Sequence, residues 1–195
     1  MRRVVAAEYL SVDGRMEMED PERKEQEVGG WTGPYWNDEL QKMQYDQLFA
    51  SDALLLGRVT YESFAAVWPS VTDEQGFADR MNSLPKYVAS TTLQEPLEWN
   101  ATLLKGDAVE AVRDLKQQSG QDILIYGSGE LVKTLSQHKL IDEYRLMIHP
   151  ILLGWGKRLF EDASDRSGLT LTDSRPTEKG VVTLTYQYAE TDAHE

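Results

Sequence analysis

The chain has 195 residues, which is enough for one domain of ordinary size and too few for two full-sized enzyme domains. Hydrophobic residues make up 41% of the chain and charged residues 27%, so it can bury a core and fold alone. The net charge of −13 disfavours nucleic acid and anionic membranes as partners, because binding to either needs a surplus of Lys and Arg.

The supply of soft metal ligands is small, with three His and no Cys. This composition excludes a zinc finger, a thiol nucleophile and a disulfide scaffold, and we expect no metal site. Glu8 and Asp13 interrupt the apolar residues near the N-terminus, so no signal-peptide core follows. No apolar run approaches the ~20 residues of a membrane span, and we expect a soluble cytoplasmic protein.

Short apolar runs alternate with helix-like segments along most of the chain, which is typical of an α/β fold with a largely parallel sheet. Apolar spacing predicts helices over 37–49 and 60–68, and Asp107 opens another helix with Glu110 as its capping-box partner. The acidic stretch 17–27 has no apolar period and is expected to be a loop. The predicted strands are residues 4–10, 53–56, 87–89, 123–126 and 144–153.

The C-terminal part changes character. Residues 169–173 and 181–188 alternate in β-rich composition around a turn, which predicts an antiparallel hairpin at the sheet edge. We expect a single domain over residues 1–190, followed by a short acidic tail. The apolar run 144–153 is either a fully buried strand or extends into a subunit contact, and we expect a homodimer.

Two strand-to-helix junctions could bind phosphate. The first is Gly57-Arg58-Val59-Thr60, which follows an apolar strand and leads into a helix. Such a junction leaves backbone N–H groups unpaired, Thr60 can cap them, and Arg58 adds a positive fork. A plain capped helix after a glycine turn explains the same residues equally well.

The second junction is Gly127-Ser128-Gly129, where missing side chains let a pyrophosphate approach the backbone at a helix start. It is not the Gly-x-Gly-x-x-Gly fingerprint, because Val132 takes the place of the third glycine. Two such junctions in one sheet can clamp an extended dinucleotide from both sides.

Five motifs follow one another along the chain: Ser11-Val12-Asp13-Gly14, Gly57-Arg58-x-Thr60, a strand ending at Ser90, Tyr126-Gly127-Ser128-Gly129, and the Pro-x-Leu-Leu-Gly-x-Gly-x-x-Leu-Phe run at 150–160. This ordered set resembles the dihydrofolate reductase-like superfamily. Within it, the chain is most similar to stand-alone relatives of the reductase domain of the bifunctional riboflavin-biosynthesis deaminase/reductase. The resemblance implies a three-layer α/β fold with a central mostly parallel sheet, an antiparallel C-terminal strand or hairpin, and NADPH across the strand ends.

The resemblance also implies roles for individual residues. Asp13 and Gly14 would border the nicotinamide, and Asp13, Tyr126 and water are the candidate proton sources. The cofactor contacts would be Gly57, Arg58, Val59 and Thr60 at the phosphates, Ser90 and Thr91 near the adenosine 2′-phosphate, and Gly127, Ser128, Gly129, Glu130 and Leu131 at the pyrophosphate.

The substrate side departs from known members of the superfamily. Trp36-Asn37 matches a Trp-Asn pair of dihydrofolate reductases, and counting on puts Gln41 where those enzymes carry a pterin-binding carboxylate. An amide cannot be the ionic partner of a protonated pterin. We expect substrate contacts from Trp31, Trp36, Gln41 and Phe64, although aromatic residues more often serve as core.

The resulting hypothesis is an NADPH-dependent reductase of a small planar heterocycle or imine, either pteridine-like or a riboflavin precursor. The alternative is a nucleotide-binding protein of the same fold that has lost efficient turnover.

Overall fold

Eight strands pair into a single sheet in the computed structural model, which describes residues 1–17, 30–160 and 167–189. Their spatial order is β4-β3-β2-β5-β1-β6-β8-β7. The pairings from β4 to β6 are parallel, and β8 pairs antiparallel with both β6 and β7. In chain order the strands are β1 (Val4–Ser11), β2 (Ser51–Gly57), β3 (Lys86–Ala89), β4 (Ala101–Leu103), β5 (Asp122–Tyr126), β6 (Glu143–His149), β7 (Leu169–Pro176) and β8 (Val182–Tyr188).

Helices cover both faces of this sheet, which confirms the predicted three-layer α/β fold. One core lies between the sheet and α4 and α5, and the other lies between the sheet and α1, α2 and α3. The helices are α1 (Asp38–Phe49), α2 (Arg58–Val67), α3 (Phe77–Ser83), α4 (Ala108–Gln117) and α5 (Gly129–Gln137). None of the helices in the described ranges is long and apolar enough to cross a membrane.

The central strand β1 contributes to both cores in alternation. Val4 and Ala6 pack towards α4 and α5, whereas Val5 and Ala7 pack towards α1. Successive side chains of a strand point to opposite faces, so a strand covered on both sides needs a continuous apolar run. That requirement explains why a short continuous apolar run predicted β1 as a buried strand.

The helix starts differ in detail from the predictions. Asp107 caps α4 by accepting hydrogen bonds from the backbone of Val109 and Glu110, but the Glu110 carboxylate pairs with Arg113 instead of completing a capping box. The prediction that Thr60 caps its helix is wrong, because α2 already begins at Arg58 and Thr60 lies in its first turn.

The apolar run 144–153 is only partly a strand. β6 ends at His149, because Pro150 lacks the N–H group that would continue the ladder. β6 lies between β1 and β8, so residues 144–149 form a buried strand, whereas Leu152 beyond the strand is 73% exposed and the predicted subunit contact stays a prediction. The predicted hairpin is confirmed as β7 and β8. The predicted acidic loop, apart from residue 17, and the acidic tail lie outside the described residues.

Candidate functional site

The two strand-to-helix junctions lie side by side. β2 and β5 are parallel neighbours, so their carboxyl ends meet at the same edge of the sheet. The backbone N–H of Gly57 donates to Ser128 Oγ at 3.0 Å, and the backbone N–H of Ser128 donates to Thr60 Oγ1 at 3.0 Å. These two hydrogen bonds hold the starts of α2 and α5 together.

Neither helix start is capped by the side chain of its N-cap residue. Gly57 has no side chain to offer, and the Ser128 hydroxyl bonds to the backbone of Gly57 and Tyr126 instead of to α5. The first N–H groups of both helices therefore keep their donor capacity for an anion, and both helix dipoles favour negative charge there. Two such starts in contact could hold a diphosphate group.

Gly127 is required at this corner for two reasons. Its φ of +56° lies in the left-handed region that favours glycine. A Cβ at this position would also approach Thr60 Oγ1 to 3.2 Å, which is tighter than ordinary contact. A side chain here would require Thr60 to shift by a few tenths of an ångström.

A cleft of about 1790 Å³ opens in front of the junctions. Pockets for single drug-sized ligands measure about 300–1,000 Å³, so the cleft has room for a dinucleotide and a second small molecule. Its lining includes most of the expected cofactor residues, namely Gly57, Arg58, Val59, Thr60, Ser90, Thr91, Gly127, Ser128, Gly129, Glu130 and Leu131.

Arg58 is the cation closest in sequence to the first junction. Its guanidinium lies 2.8 Å from Glu62 on the next turn of α2, with 45% of the side chain exposed. An exposed pair of this kind contributes little energy, so Arg58 can turn towards a phosphate at small cost. Lys133 and Lys157 add positive charge to the same cleft wall.

Met16 covers part of the second junction. Its Sδ lies only 2.5 Å from the position that a Cβ on Gly129 would occupy. A phosphate group at the start of α5 therefore requires the Met16 side chain to swing aside, which a flexible thioether can do readily.

The opposite wall of the cleft is aromatic. Phe64 and Trp68 meet edge to face, with ring centroids 6.3 Å apart, and Trp36 is 39% exposed on the same lining. Gln41 also lines the cleft and donates a hydrogen bond to Gln75 at 3.0 Å. The structure therefore places Trp36, Gln41 and Phe64 where a flat ring could lie.

Behind this wall, Tyr126 belongs to a network of amides that the sequence did not reveal. Gln47 Nε2 donates to the Tyr126 hydroxyl at 3.2 Å and to Gln44 Oε1 at 2.5 Å. Burial raises the pKa of Tyr126 well above its ordinary value, so the phenol stays neutral. Because Gln47 supplies a hydrogen to the Tyr126 oxygen, the phenol keeps its own hydrogen to donate.

Asp13 does not line the cleft, and its contacts contradict a role as proton donor. Its carboxylate accepts hydrogen bonds from Ser11 Oγ, Arg15 Nε and the backbone N–H groups of Leu153 and Gly154. The Ser11 hydroxyl makes the largest contribution to a pKa far below the ordinary range, so Asp13 remains ionised. Asp13 ties the end of β1 to the chain beyond β6.

Gly14 and Trp31 also lie away from the cleft lining. The Gly14 carbonyl accepts a backbone hydrogen bond from Leu159. Trp31 is 3% exposed, and its indole donates to the Glu17 carbonyl at 2.5 Å while its ring packs edge-on against His149. The substrate-binding prediction for Trp31 is wrong, because the residue serves as core.

Glu8 is the residue of the cleft that sequence reasoning missed. It is 2% exposed, and Oε1 is buried without a hydrogen-bond partner among the described residues. Burial raises the pKa of this carboxyl well above its ordinary value, although the backbone amide of Gly127 partly opposes the shift as a hydrogen-bond donor. The available signal was a single charge inside the apolar run of β1.

This fold and this cleft define a protein of the dihydrofolate reductase-like class. The chain matches the family described as the RibD C-terminal domain over residues 2–183, and it belongs to that family. Both levels of the resemblance seen in the motifs are thereby confirmed.

Comparisons with individual proteins agree with this assignment. The chain is 34% identical to the uncharacterised protein YyaP of Bacillus subtilis (strain 168) over 146 residues, which are 73% of this chain and 77% of YyaP. It is similar to a presumed riboflavin biosynthesis protein from Shewanella sp. PV-4, with a TM-score of 0.76, 22% identity, and 96% and 99% of the two chains covered. A dihydrofolate reductase from Enterococcus faecalis complexed with NADP(H) matches with a TM-score of 0.62 and 14% identity, covering 96% of this chain and 97% of that one.

Proposed function

We propose that the chain is an NADPH-dependent reductase that transfers a hydride to a small heterocyclic or imine substrate, either pteridine-like or a pyrimidine of the riboflavin pathway. The observation that carries this proposal is the pair of uncapped helix starts, joined by the hydrogen bonds between Gly57, Thr60 and Ser128. Membership of the RibD C-terminal domain family and the fold shared with a reductase solved with NADP(H) support it.

The row of strand ends and the hydroxyls after β3 support one direction for the cofactor. β3, β2, β5 and β1 are adjacent and parallel, so their carboxyl ends form a row. With the diphosphate between β2 and β5, the adenosine extends over β3, where Ser90 and Thr91 offer hydroxyls. The nicotinamide then extends over β1. When bound, the cofactor supplies the hydride, and the protein positions both molecules and excludes water.

The substrate lies against the aromatic wall in this proposal. Gln41 and Gln44 can each donate and accept hydrogen bonds, which suits a neutral ring with mixed donors and acceptors better than a protonated pterin. Tyr126 donates a hydrogen bond to a ring heteroatom. Tyr126 and water remain the candidate proton sources, whereas Asp13 is no longer one.

Calorimetric titration with NADPH and NADH tests the cofactor, with Arg58→Ala as the variant. Losing a charge-assisted contact to the 2′-phosphate should weaken NADPH binding by about 10- to 100-fold and leave NADH nearly unchanged. Arg113→Ala removes an exposed arginine from α4 and is the matched control. Equal weakening of both cofactors would place Arg58 at the diphosphate and not at the 2′-phosphate, and unchanged affinity for both would remove Arg58 from the phosphate site.

Turnover separates the reductase from the alternative, a cofactor-binding protein of the same fold without efficient catalysis. Dihydrofolate, dihydrobiopterin and the pyrimidine intermediate of riboflavin synthesis form a suitable panel, with cofactor oxidation followed by absorbance. Oxidation above the background rate with any of them supports the reductase. Tight NADPH binding without oxidation across the panel favours the alternative.

We also propose that the chain forms a homodimer. All eight residues of the edge strand β7 are exposed, including Leu169 at 39% and Leu171 at 48%. An exposed strand with apolar side chains favours pairing with another chain. Sedimentation equilibrium should give twice the mass of one chain, and a mass of 22.2 kDa would contradict the dimer.

A further inference from the structure

Glu8 occupies the point where β1 and β5 separate. The pairing of β1 with β5 ends at Ala7 and Tyr126, whereas its pairing with β6 continues to Ser11. Glu8 is the first residue beyond the shared ladder, and the amide of Gly127 acts on its carboxyl from the β5 side. Ligands in open α/β sheets bind in such crevices at the carboxyl ends of the strands.

Among the described residues, only burial and the backbone amide of Gly127 act on the Glu8 carboxyl, and no charged side chain compensates it. Side chains alternate along β1, so Glu8 faces the same side of the sheet as Ala6 and Leu10. Leu131, Leu159 and the loop residue Met16 pack on that side. Met16, Leu131 and Leu159 also line the cleft beside Glu8. A buried carboxyl in apolar surroundings retains its proton unless a positive charge comes close.

The titratable groups near Glu8 in the described part of the chain do not provide a positive charge. The charge of an ionised Glu8 would raise the pKa of the Tyr9 and Tyr126 phenols, which burial already raises, and both phenols are neutral. On β6, Tyr144 lies on the face of Glu8, whereas Arg145 lies on the opposite face and pairs with Glu143. Further out on the cleft wall, Lys157 pairs with Glu130 at 3.5 Å.

We propose that Glu8 contacts the nicotinamide end of the cofactor and exchanges a proton according to the redox state of the ring. The carboxyl is protonated beside the neutral reduced ring and releases its proton to solvent when the positively charged oxidised ring binds. This inference rests on the proposed function, because it places the nicotinamide over β1. The row of strand ends supports this placement, since β3 to β1 spans three strand spacings, or about 14 Å.

The consequence is a difference in proton release between two nearly identical ligands. NADP⁺ and NADPH share the adenosine, the diphosphate and the 2′-phosphate, so protons released by those groups cancel in the comparison. The two ligands then differ only in the nicotinamide ring and its charge. The affinity of NADP⁺ relative to NADPH should therefore rise with pH, by up to about tenfold per pH unit while one proton is released.

Calorimetric titration of the full chain in two buffers of different ionisation enthalpy counts these protons. The wild-type protein should release up to one more proton per chain on binding NADP⁺ than on binding NADPH. Glu8→Gln should bind both cofactors without this difference. Glu110→Gln removes an exposed carboxylate from α4 and should keep the wild-type difference.

Each outcome decides between distinct possibilities. Equal proton release for the two cofactors in the wild-type protein would overturn the role of Glu8, even if Glu8→Gln fails to fold. Persistence of the difference in Glu8→Gln would assign the proton to another group and also overturn it. Binding of neither cofactor to the wild-type protein would instead contradict the proposed function, and this inference with it.

Discussion

At the residue scale, Glu8 and Asp13 show how the surroundings of a carboxyl group decide whether it stays protonated or ionised. Four hydrogen-bond donors surround Asp13 and keep it ionised, so it acts as a structural tie. Glu8 has an unpartnered buried oxygen in the described structure and a raised pKa, so it remains protonated. The resemblance placed Asp13 beside the nicotinamide and made it a candidate proton source together with Tyr126 and water, whereas the contacts favour Glu8 as the functional group.

A buried carboxyl with a raised pKa should also be visible in stability. As pH rises above the ordinary carboxyl range, the unfolded chain loses the Glu8 proton while the folded protein keeps it. The free energy of unfolding of the wild type should then fall by about 1.4 kcal/mol per pH unit relative to Glu8→Gln, until the folded carboxyl ionises. Urea denaturation at several pH values between about 5 and 7 measures this difference.

Glu110→Gln again provides the control, because its side chain is 68% exposed. Its stability should follow that of the wild type across this pH range. A constant difference between the wild type and Glu8→Gln would show that the folded protein does not hold the proton, and the buried-acid assignment would be wrong.

At the element scale, strand-to-helix junctions explain why the cofactor site could be predicted from sequence. A glycine turn between an apolar strand and a helix is a local pattern, and both junctions lie where the sequence placed them. Their contact could not be derived from periodicity, since it depends on the order β2-β5 in the sheet. The resemblance implied a cofactor across the strand ends, and the hydrogen bonds of Ser128 show that the two junctions are in contact.

Other elements and contacts were missed for physical reasons. β4 has only three residues and α3 only seven, too few to show a hydrophobic period. Trp31 was expected at the substrate, but its ring fills the core beside His149, and an aromatic residue in sequence carries no sign of which role it has. Gln44 and Gln47 lie on the buried side of α1, where Gln47 donates to Gln44 and Gln44 donates to Met147 Sδ.

The start of α5 gives a prediction at this scale. Gly129→Val should abolish NADPH binding, because a branched side chain would occupy the approach to the first N–H groups of the helix. Met16→Ala should instead tighten binding, since it removes the thioether that lies against Gly129. Calorimetric titration measures both, with circular dichroism to confirm that the variants fold. Unchanged affinity in Gly129→Val would refute the diphosphate assignment.

At the scale of the whole molecule, the chain has a net charge of −13 and is proposed to bind a cofactor that is also negatively charged. In the proposed complex, backbone N–H groups at the two helix starts bind the phosphates through fixed dipoles. The cleft itself is not a positive patch, because Arg58, Lys133 and Lys157 share its lining with carboxylates such as Asp73, Asp107 and Glu130. The proposal therefore rests on the helix starts, and the net charge still predicts no affinity for nucleic acid.

The most direct test of the central claim is a crystal structure of the chain at saturating NADPH. The diphosphate should lie within hydrogen-bonding distance of backbone N–H groups at the starts of both α2 and α5, with the nicotinamide beside Glu8. Density for the cofactor at any other surface, or no cofactor density at saturation, would contradict the claim that the two junctions together form a site for a phosphorylated nicotinamide cofactor.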